Sequence, residues 1–341
     1  MAFEDKVVVT CALSGVLANR KQCPGIPYTP AEIADEAKRA YDAGASVVHI
    51  HARNDDGSPT FEPAVFARIK EEIRARCPII LNFSTGTILD DVSQQKAYLG
   101  ASKPEIGALN MGSMNYSKYS KSKKQFAFDM IFPNPYAKIV SLLTTMNEAG
   151  VKPELECFDT GHTGGIWPLL DMGVLRPPYQ FSFILDVLGG IPASVESLQL
   201  QTKIMPPGSD WEVIGISHCH WRMLGAALVL GGNIRTGLED HLYLPNGEMA
   251  ASNGAMVEVA ARLTRDVGRE PATVEEARKI LHLDQVAAAR PRSGTRERRG
   301  PRLPDRPRRG GRPDLHDHAE RAGAEEPDRP ADGERAALRA R

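Results

Sequence analysis

Two histidines one residue apart, His49 and His51, close an apolar run in ASVVHIHARNDDG, residues 45–57. In an extended strand, residues i and i+2 point to the same side, so both imidazoles could reach one ion. Zinc takes His nitrogen and carboxylate oxygen, and a catalytic zinc keeps about three protein ligands and one open position. The carboxylate that fits as third ligand is Glu239, in RTGLED (235–240). In the same cluster Arg235 offers a planar fork for a carboxylate, and Asp240 beside a metal-bound substrate could act as a base. Glu156 could pair with Arg235 and orient it. A second H-x-H, His218 and His220 in SHCHW, competes for the metal. Blander readings stand beside these: ordinary loop histidines, a surface salt-bridge patch for RTGLED, a solvent-facing edge for Glu156, and a satisfied structural histidine in SHCHW.

Such a set needs elements that bring distant residues to one place. Short apolar runs at 7–13, 46–52, 79–85, 106–111, 153–159, 180–187, 212–218 and 232–238 predict strands. Helical patterns lie between most of them, near 62–76, 135–149, 164–173, 192–202, 220–230 and 251–267. The first helix follows TPAE, where Thr29 can cap, Pro30 occupies the first helical position and Glu32 completes a capping box. Eight strands alternating with helices predict a parallel sheet, and eight is the number that closes a (β/α)8 TIM barrel. An open doubly wound sheet is the rival, but no G-x-G-x-x-G follows the first strand. In a barrel the chemistry gathers at the C-terminal strand ends. There the expected strands place His49 and His51, then Ser84, Thr85 and Gly86, then Asn110. Further round come Glu154, Glu156 and Asp159, then Asp186, His218, Arg235, Glu239 and Asp240. Closing the barrel sets strand eight beside strands one and two, which brings Glu239 toward the histidines.

The bulk numbers fit this reading. The chain has 341 residues, 42% hydrophobic and 25% charged, with net charge −1. Near-zero charge makes no case for a nucleic-acid partner. Cys11, Cys23, Cys77, Cys157 and Cys219 are scattered with no C-x-x-C, which predicts a reducing, cytoplasmic setting rather than a disulfide framework. The short apolar run near the start follows acidic residues and reads as a first core strand rather than a signal segment. No run approaches the roughly 20 residues of a membrane span. The catalytic domain is expected at 1–284. Beyond it, 285–341 is a low-complexity Arg/Pro/Gly-rich tail. From Arg290 to Arg341 there are fifteen arginines and no Lys, Val, Ile, Phe, Met, Trp or Tyr. Such a segment cannot offset its ordering entropy by burial and is expected to be disordered. It is either a basic tail for anionic partners or, preferred here, a C-terminus out of register with the usual reading frame.

The stretches TPAEIADEAKRAYDAGASVVHIHARNDDGSP, NFSTG, KPEIGALNMGS, KPELECFD and GGNIRTGLEDHLYLPNGEMAASN together resemble the β-keto acid cleavage enzymes, the 3-keto-5-aminohexanoate cleavage family, over about residues 6–283. The resemblance implies a metal-dependent barrel, assembled as a homo-oligomer such as a tetramer. It implies that a β-keto acid and acetyl-CoA exchange acyl groups, releasing acetoacetate and a new acyl-CoA. By motif match, His49, His51 and Glu239 would hold zinc, and Asp240 would take a proton from the keto acid's α-carbon. Ser84, with the turn Thr85-Gly86-Thr87, would grip the substrate carboxylate. Asn110 belongs with that substrate-binding set, and Arg235 and Glu156 complete the polar site. Three positions depart from the family pattern. Ala108 replaces a threonine, Leu17 stands where members acting on amino-bearing keto acids place a carboxylate, and SHCH replaces a segment that has an arginine. Two other functions fit the sequence less well. Metal-dependent barrel hydrolases place H-x-H after strand one, not two. A binding protein using its basic tail on polyanions leaves the dense polar mouth unexplained.

Overall fold

The computed structural model describes residues 5–288 of the chain. Eight parallel strands close into one barrel. They are β1 (Val9–Ala12), β2 (Val47–Ile50), β3 (Ile80–Ser84), β4 (Ile106–Asn110), β5 (Lys152–Cys157), β6 (Gln180–Leu185), β7 (Asp210–Gly215) and β8 (Asn233–Thr236). The ring closes through β8 and β1, where Arg235 lies opposite Thr10, and continues to β2, where Ala12 lies opposite His49. This is the (β/α)8 barrel the strand pattern predicts.

The helices form where their local signals stand. Helix α1 (Pro30–Ala43) starts on a full capping box: Thr29 accepts from the Glu32 amide and Glu32 accepts from the Thr29 amide. Gly44, at φ 113°, ends it in the left-handed conformation that glycine adopts without strain. Its apolar face buries Ile33, Ala34, Ala37 and Ala40, at helical spacing. Helices α2 (Pro63–Arg74), α3 (Ser93–Ser102) and α4 (Tyr136–Ala149) follow β2, β3 and β4. Between β5 and β6 there are two five-residue helices, Thr160–Gly164 and Trp167–Asp171, where one segment at 164–173 was expected. Among the described residues no helix is long and apolar enough to cross a membrane. All five cysteines are free and buried.

Three features depart from the sequence expectation. The first strand is split, because Lys6–Val7 pairs with Glu270–Pro271 outside the barrel. Residues between β4 and α4 fold into an antiparallel hairpin, Met114–Ser120 with Gln125–Phe132. Strand β7 ends at Gly215, and Ser217–Cys219 forms a short 3-10 turn, so His218 does not end a strand. The expected tail falls almost wholly outside the described residues.

The barrel interior is unusually polar. Thr10 donates to Glu212, Asn82 donates to Glu154, and Ser182 lies within hydrogen-bond distance of both glutamates. Burial, and then the charge of Glu154, push Glu212 well above the usual carboxylate range. Burial thus favours the neutral form of Glu212, which lets two carboxyl groups share one buried layer.

Candidate active site

At the C-terminal end of the barrel, β2 and the turn after β8 meet. His49 lies on β2, His51 just beyond it, and their ring centroids are 5.2 Å apart. Glu239 Oε1 is 3.6 Å from His49 Nε2 and 3.4 Å from His51 Nε2. One ligand atom from each of the three lies within 4.8 Å of the other two. His49 is fully buried, and neither ring nitrogen makes a hydrogen bond; Glu239 Oε2 is buried and unpartnered as well. Buried polar atoms left this way cost about 1–3 kcal/mol each, so the arrangement calls for a partner. Burial, and then the Arg235 charge, hold the His49 imidazolium well below its usual range. The ring is neutral, the form that ligates a metal. Burial opposes ionisation of Glu239, but Arg235, His51 and His49 outweigh it and hold the carboxyl well below its usual range. Two imidazoles and a carboxylate, open toward the mouth, fit a divalent cation. A second grouping, His49 with Glu154 and Glu156, also meets the distance condition. Both oxygens of its Glu154 are already engaged by Asn82 and Ser182, whereas Glu239 keeps one oxygen without a partner, so the first grouping fits better.

Arg235, on β8, is buried among three carboxylates. Its Nε and Nη2 donate to the two oxygens of Asp240, each at 3.0 Å. Nη2 also donates to Glu239 at 2.7 Å, and Nη1 to Glu156 at 3.3 Å. The fork holds Asp240 in one orientation. Burial pushes Asp240 up to about 6, Arg235 pulling the other way and Glu239 adding to the rise. That places it in the range of a working base near neutral pH. Burial likewise pushes Glu156 up to about 8, against the pull of Arg235.

Ser84 ends β3, and its Oγ accepts from the Gly86 amide at 3.3 Å. Its own O–H proton remains free to meet a ligand. The hydroxyl of Thr85 is engaged with the Ala108 carbonyl at 2.6 Å, and Thr87 Oγ1 accepts from the Leu89 amide. Of the three hydroxyls in the turn, Thr85 alone spends its proton within the protein, and Ser84, at the strand end, keeps its own available. Asn110 ends β4, where its amide nitrogen approaches Gly86 within 3.4 Å of where a Cβ would stand.

The sequence reading missed the residues that fix the loops of this mouth. Arg53 is buried and donates four hydrogen bonds to backbone carbonyls: Ser14, Gly15, Ala18 and Gly57, at 2.7–2.9 Å. Three of these belong to the loop after β1. Gly15 in that loop, at φ 53°, lies so close to Glu239 that a Cβ would stand 2.7 Å from its Cγ. The acidic turn 54–57 presents one of the four carbonyls. Lys138 plays the matching part after β3, donating to the carbonyls of Thr87, Leu89 and Pro133. Asn253 ties the Leu13 carbonyl to the Leu238 amide, joining β1 to the Glu239 turn. Tyr116, from the hairpin, also faces the site: burial first, then the charges of Glu239, Asp240 and Glu156, push its phenol up to about 12. Arg53 and Lys138 look like surface charges in the sequence; for Lys138 alone, the lack of a carboxylate three or four residues away hints otherwise.

The second H-x-H takes no part in a metal cluster. His220 is buried with Nδ1 2.8 Å from the Gly215 carbonyl and Nε2 2.9 Å from Thr236 Oγ1. Both nitrogens are occupied, so it is a structural histidine. His218 is exposed and faces Asp186 at 3.4 Å. Asp159 caps the short helix at Thr160–Gly164, and Glu154 belongs to the barrel interior.

Residues 6–283 match the family described as beta-keto acid cleavage enzyme. A 3-keto-5-aminohexanoate cleavage enzyme of Fusobacterium nucleatum is 37% identical over 280 residues, covering 82% of this chain and 98% of the relative. A 3,5-dioxohexanoate:acetyl-CoA acetone transferase of Paraburkholderia graminis is 32% identical over 310 residues, covering 84% and 99%. The solved ternary complex of ObcA with a C4-CoA adduct and oxalate superposes with TM-score 0.62 at 19% identity, over 76% of this chain and 68% of that one. At that identity the likeness supports the barrel fold alone.

Proposed function

The chain belongs to the beta-keto acid cleavage enzyme family, and on that premise we propose that it exchanges acyl groups between a β-keto acid and acetyl-CoA, giving acetoacetate and a new acyl-CoA. Its relatives carry names for transfer between keto acids and acetyl-CoA. The observation that carries the reading is the under-partnered trio His49, His51 and Glu239 beside the Arg235–Asp240 clamp. Bound by that trio, a divalent ion, zinc in this reading, supplies a Lewis acid that polarises the ketone and stabilises enolate charge. Ser84 donates its O–H to the substrate carboxylate, with the Gly86 turn and Asn110 beside it. Asp240 takes the α-proton, and Arg235, braced by Glu156, keeps its carboxylate aimed. The freed carbon attacks the acetyl thioester and expels CoA thiolate. The thiolate attacks the original ketone, and the bond between that carbonyl and the α-carbon breaks. Asp240 returns its proton to the departing acetoacetate carbanion.

The reading includes assembly as a homo-oligomer and a catalytic domain ending near residue 284. It is tested by mixing purified protein with zinc, acetyl-CoA and a panel of β-keto acids, then following products by mass spectrometry. Acetoacetate and a matching acyl-CoA are expected. No turnover of any panel member, with metal bound, overturns it.

A further inference from the structure

The hairpin at 114–132 carries charges that the site described above does not use. Lys118, Lys121, Lys123 and Lys124 stand within seven residues, against a single acid, Asp129, in the whole hairpin. All four are exposed, and among the described residues none of their side chains makes an ion pair. Asp129 accepts from Ser117 instead. Lys124 holds a turn position at φ 50°, where glycine or asparagine sits with less strain. Four like charges at one tip repel one another, so neither turn chemistry nor stability asks for them. An anion does.

The hairpin connects that tip to the mouth of the barrel. At its base Tyr116 and Phe132 pack against the cluster around Phe158, and Phe132 Cζ lies 3.8 Å from where a Cβ on Gly86 would stand, beside Ser84. Tyr116 feels the charges of Glu239, Asp240 and Glu156. A bridge from Ser117 to Leu188 fastens the hairpin to the loop after β6. Lys118 shares the face of Tyr116, two residues before it, and lies opposite Phe128, whose ring stacks on Tyr116 at 6.0 Å. Next to the tip, Tyr119 and Phe126 are exposed and meet edge-on at 5.5 Å.

We propose that this tip, Lys118, Lys121, Lys123 and Lys124 with Tyr119 and Phe126, holds the 3′-phosphoadenosine diphosphate end of acetyl-CoA. The inference rests on the function proposed above, which makes acetyl-CoA the co-substrate. Reach and charge both fit. Lys118 and Ser120, the last strand residue before the tip, lie about 7 and about 13 Å beyond Tyr116 along the strand. The pantetheine arm has about as many bonds from sulfur to phosphate as the main chain of four residues, so it spans about 14 Å when extended. A thioester beside Tyr116 then brings the phosphates level with the lysines. The mouth itself is lined with carboxylates, which repel a polyanion, so the attracting charges stand away from the reacting carbon. The ammonium groups meet the phosphates as point charges, and the exposed rings offer a face to the adenine.

The test is calorimetric titration of the full chain with CoA, with adenosine 3′,5′-bisphosphate, and with pantetheine, which lacks the nucleotide. The altered protein carries Lys118→Gln, Lys121→Gln, Lys123→Gln and Lys124→Asn together. Affinity for CoA and for the bisphosphate is expected to fall at least about tenfold, with pantetheine binding unchanged. Added salt should weaken CoA binding more in the parent than in the variant. Phe126→Ala should weaken the bisphosphate about fivefold or more. Should the fourfold variant not fold, Lys123→Glu in the exposed turn carries the test. Unchanged CoA affinity in the lysine variant, unchanged bisphosphate affinity in Phe126→Ala, or an equal loss for pantetheine overturns the inference. So does an altered assembly mass by light scattering with CoA affinity intact, which assigns the tip to a contact between copies. Lysine-dependent CoA binding without acyl exchange leaves the anchor standing and removes the proposed reaction. Acyl exchange with lysine-independent CoA binding does the reverse.

Discussion

Replacing Arg53 with alanine tests how the metal trio is held. Arg53 touches none of the three ligands, yet it fixes the loop that packs on one of them. Its four hydrogen bonds run from a charged donor to backbone carbonyls at 2.7–2.9 Å. Such bonds contribute about 1.5–3 kcal/mol each when taken singly, but four from one side chain are not additive. Water can reach carbonyls near the mouth once the guanidinium is gone. A net loss of about 2–4 kcal/mol is expected, below the simple sum because the partners left behind are neutral carbonyls that partly rehydrate. With the loop released, Gly15 no longer buttresses Glu239, and metal affinity should fall about 10–100-fold, as for other residues that orient ligands indirectly. Urea unfolding gives the first quantity and zinc competition against a chelating dye the second. Arg53→Lys should recover little of either, because an ammonium cannot span four carbonyls as a planar fork does. A variant within about 0.5 kcal/mol of the parent, with unchanged zinc affinity, would refute the reasoning.

Other outcomes follow from the same structure. His49→Ala should abolish both tight metal binding and turnover; zinc retained at one equivalent, by plasma emission, would move the metal elsewhere. Glu212→Gln should cost under about 1 kcal/mol, because burial favours a neutral Glu212 and Gln keeps a donor and an acceptor, whereas Glu212→Ala should cost about 2–4 kcal/mol by stranding its partners. Equal effects of the two in thermal unfolding would show that Glu212 is ionised. Burial holds His220 at about 3, while an unfolded chain titrates near 6.5. Between those values the unfolded state binds more protons, so the contribution of neutral His220 is complete above about 6.5 and declines as pH falls toward about 3. His220→Gln should flatten the stability profile in that window, and an unaltered slope would count against the assignment.

Much of this was legible in the chain itself. The box at Thr29, Pro30 and Glu32 needs only four neighbouring residues, and it forms as local chemistry dictates. The eight apolar runs are long enough to mark strands, and alternation with helices leaves few topologies besides a closed parallel barrel. The joining of His49 and His51 with Glu239 follows from that closure, since β8 must return beside β1. The hairpin at 114–132 was not legible, because its exposed face carries both apolar and lysine residues and its inward face packs against loops far away in sequence.

The two H-x-H pairs mark the boundary most clearly. Their spacing is the same, and local sequence cannot rank them. Strand period alone puts His49 and His51 on one side, and barrel closure supplies their carboxylate. Only the tertiary structure shows that both nitrogens of His220 are taken, by Gly215 and Thr236, while those of His49 are buried with nothing to bind. Spacing along a strand is a property of the backbone and can be read from the chain. Whether a buried nitrogen finds a partner depends on atoms brought in from distant strands, and that is decided only when the barrel has closed.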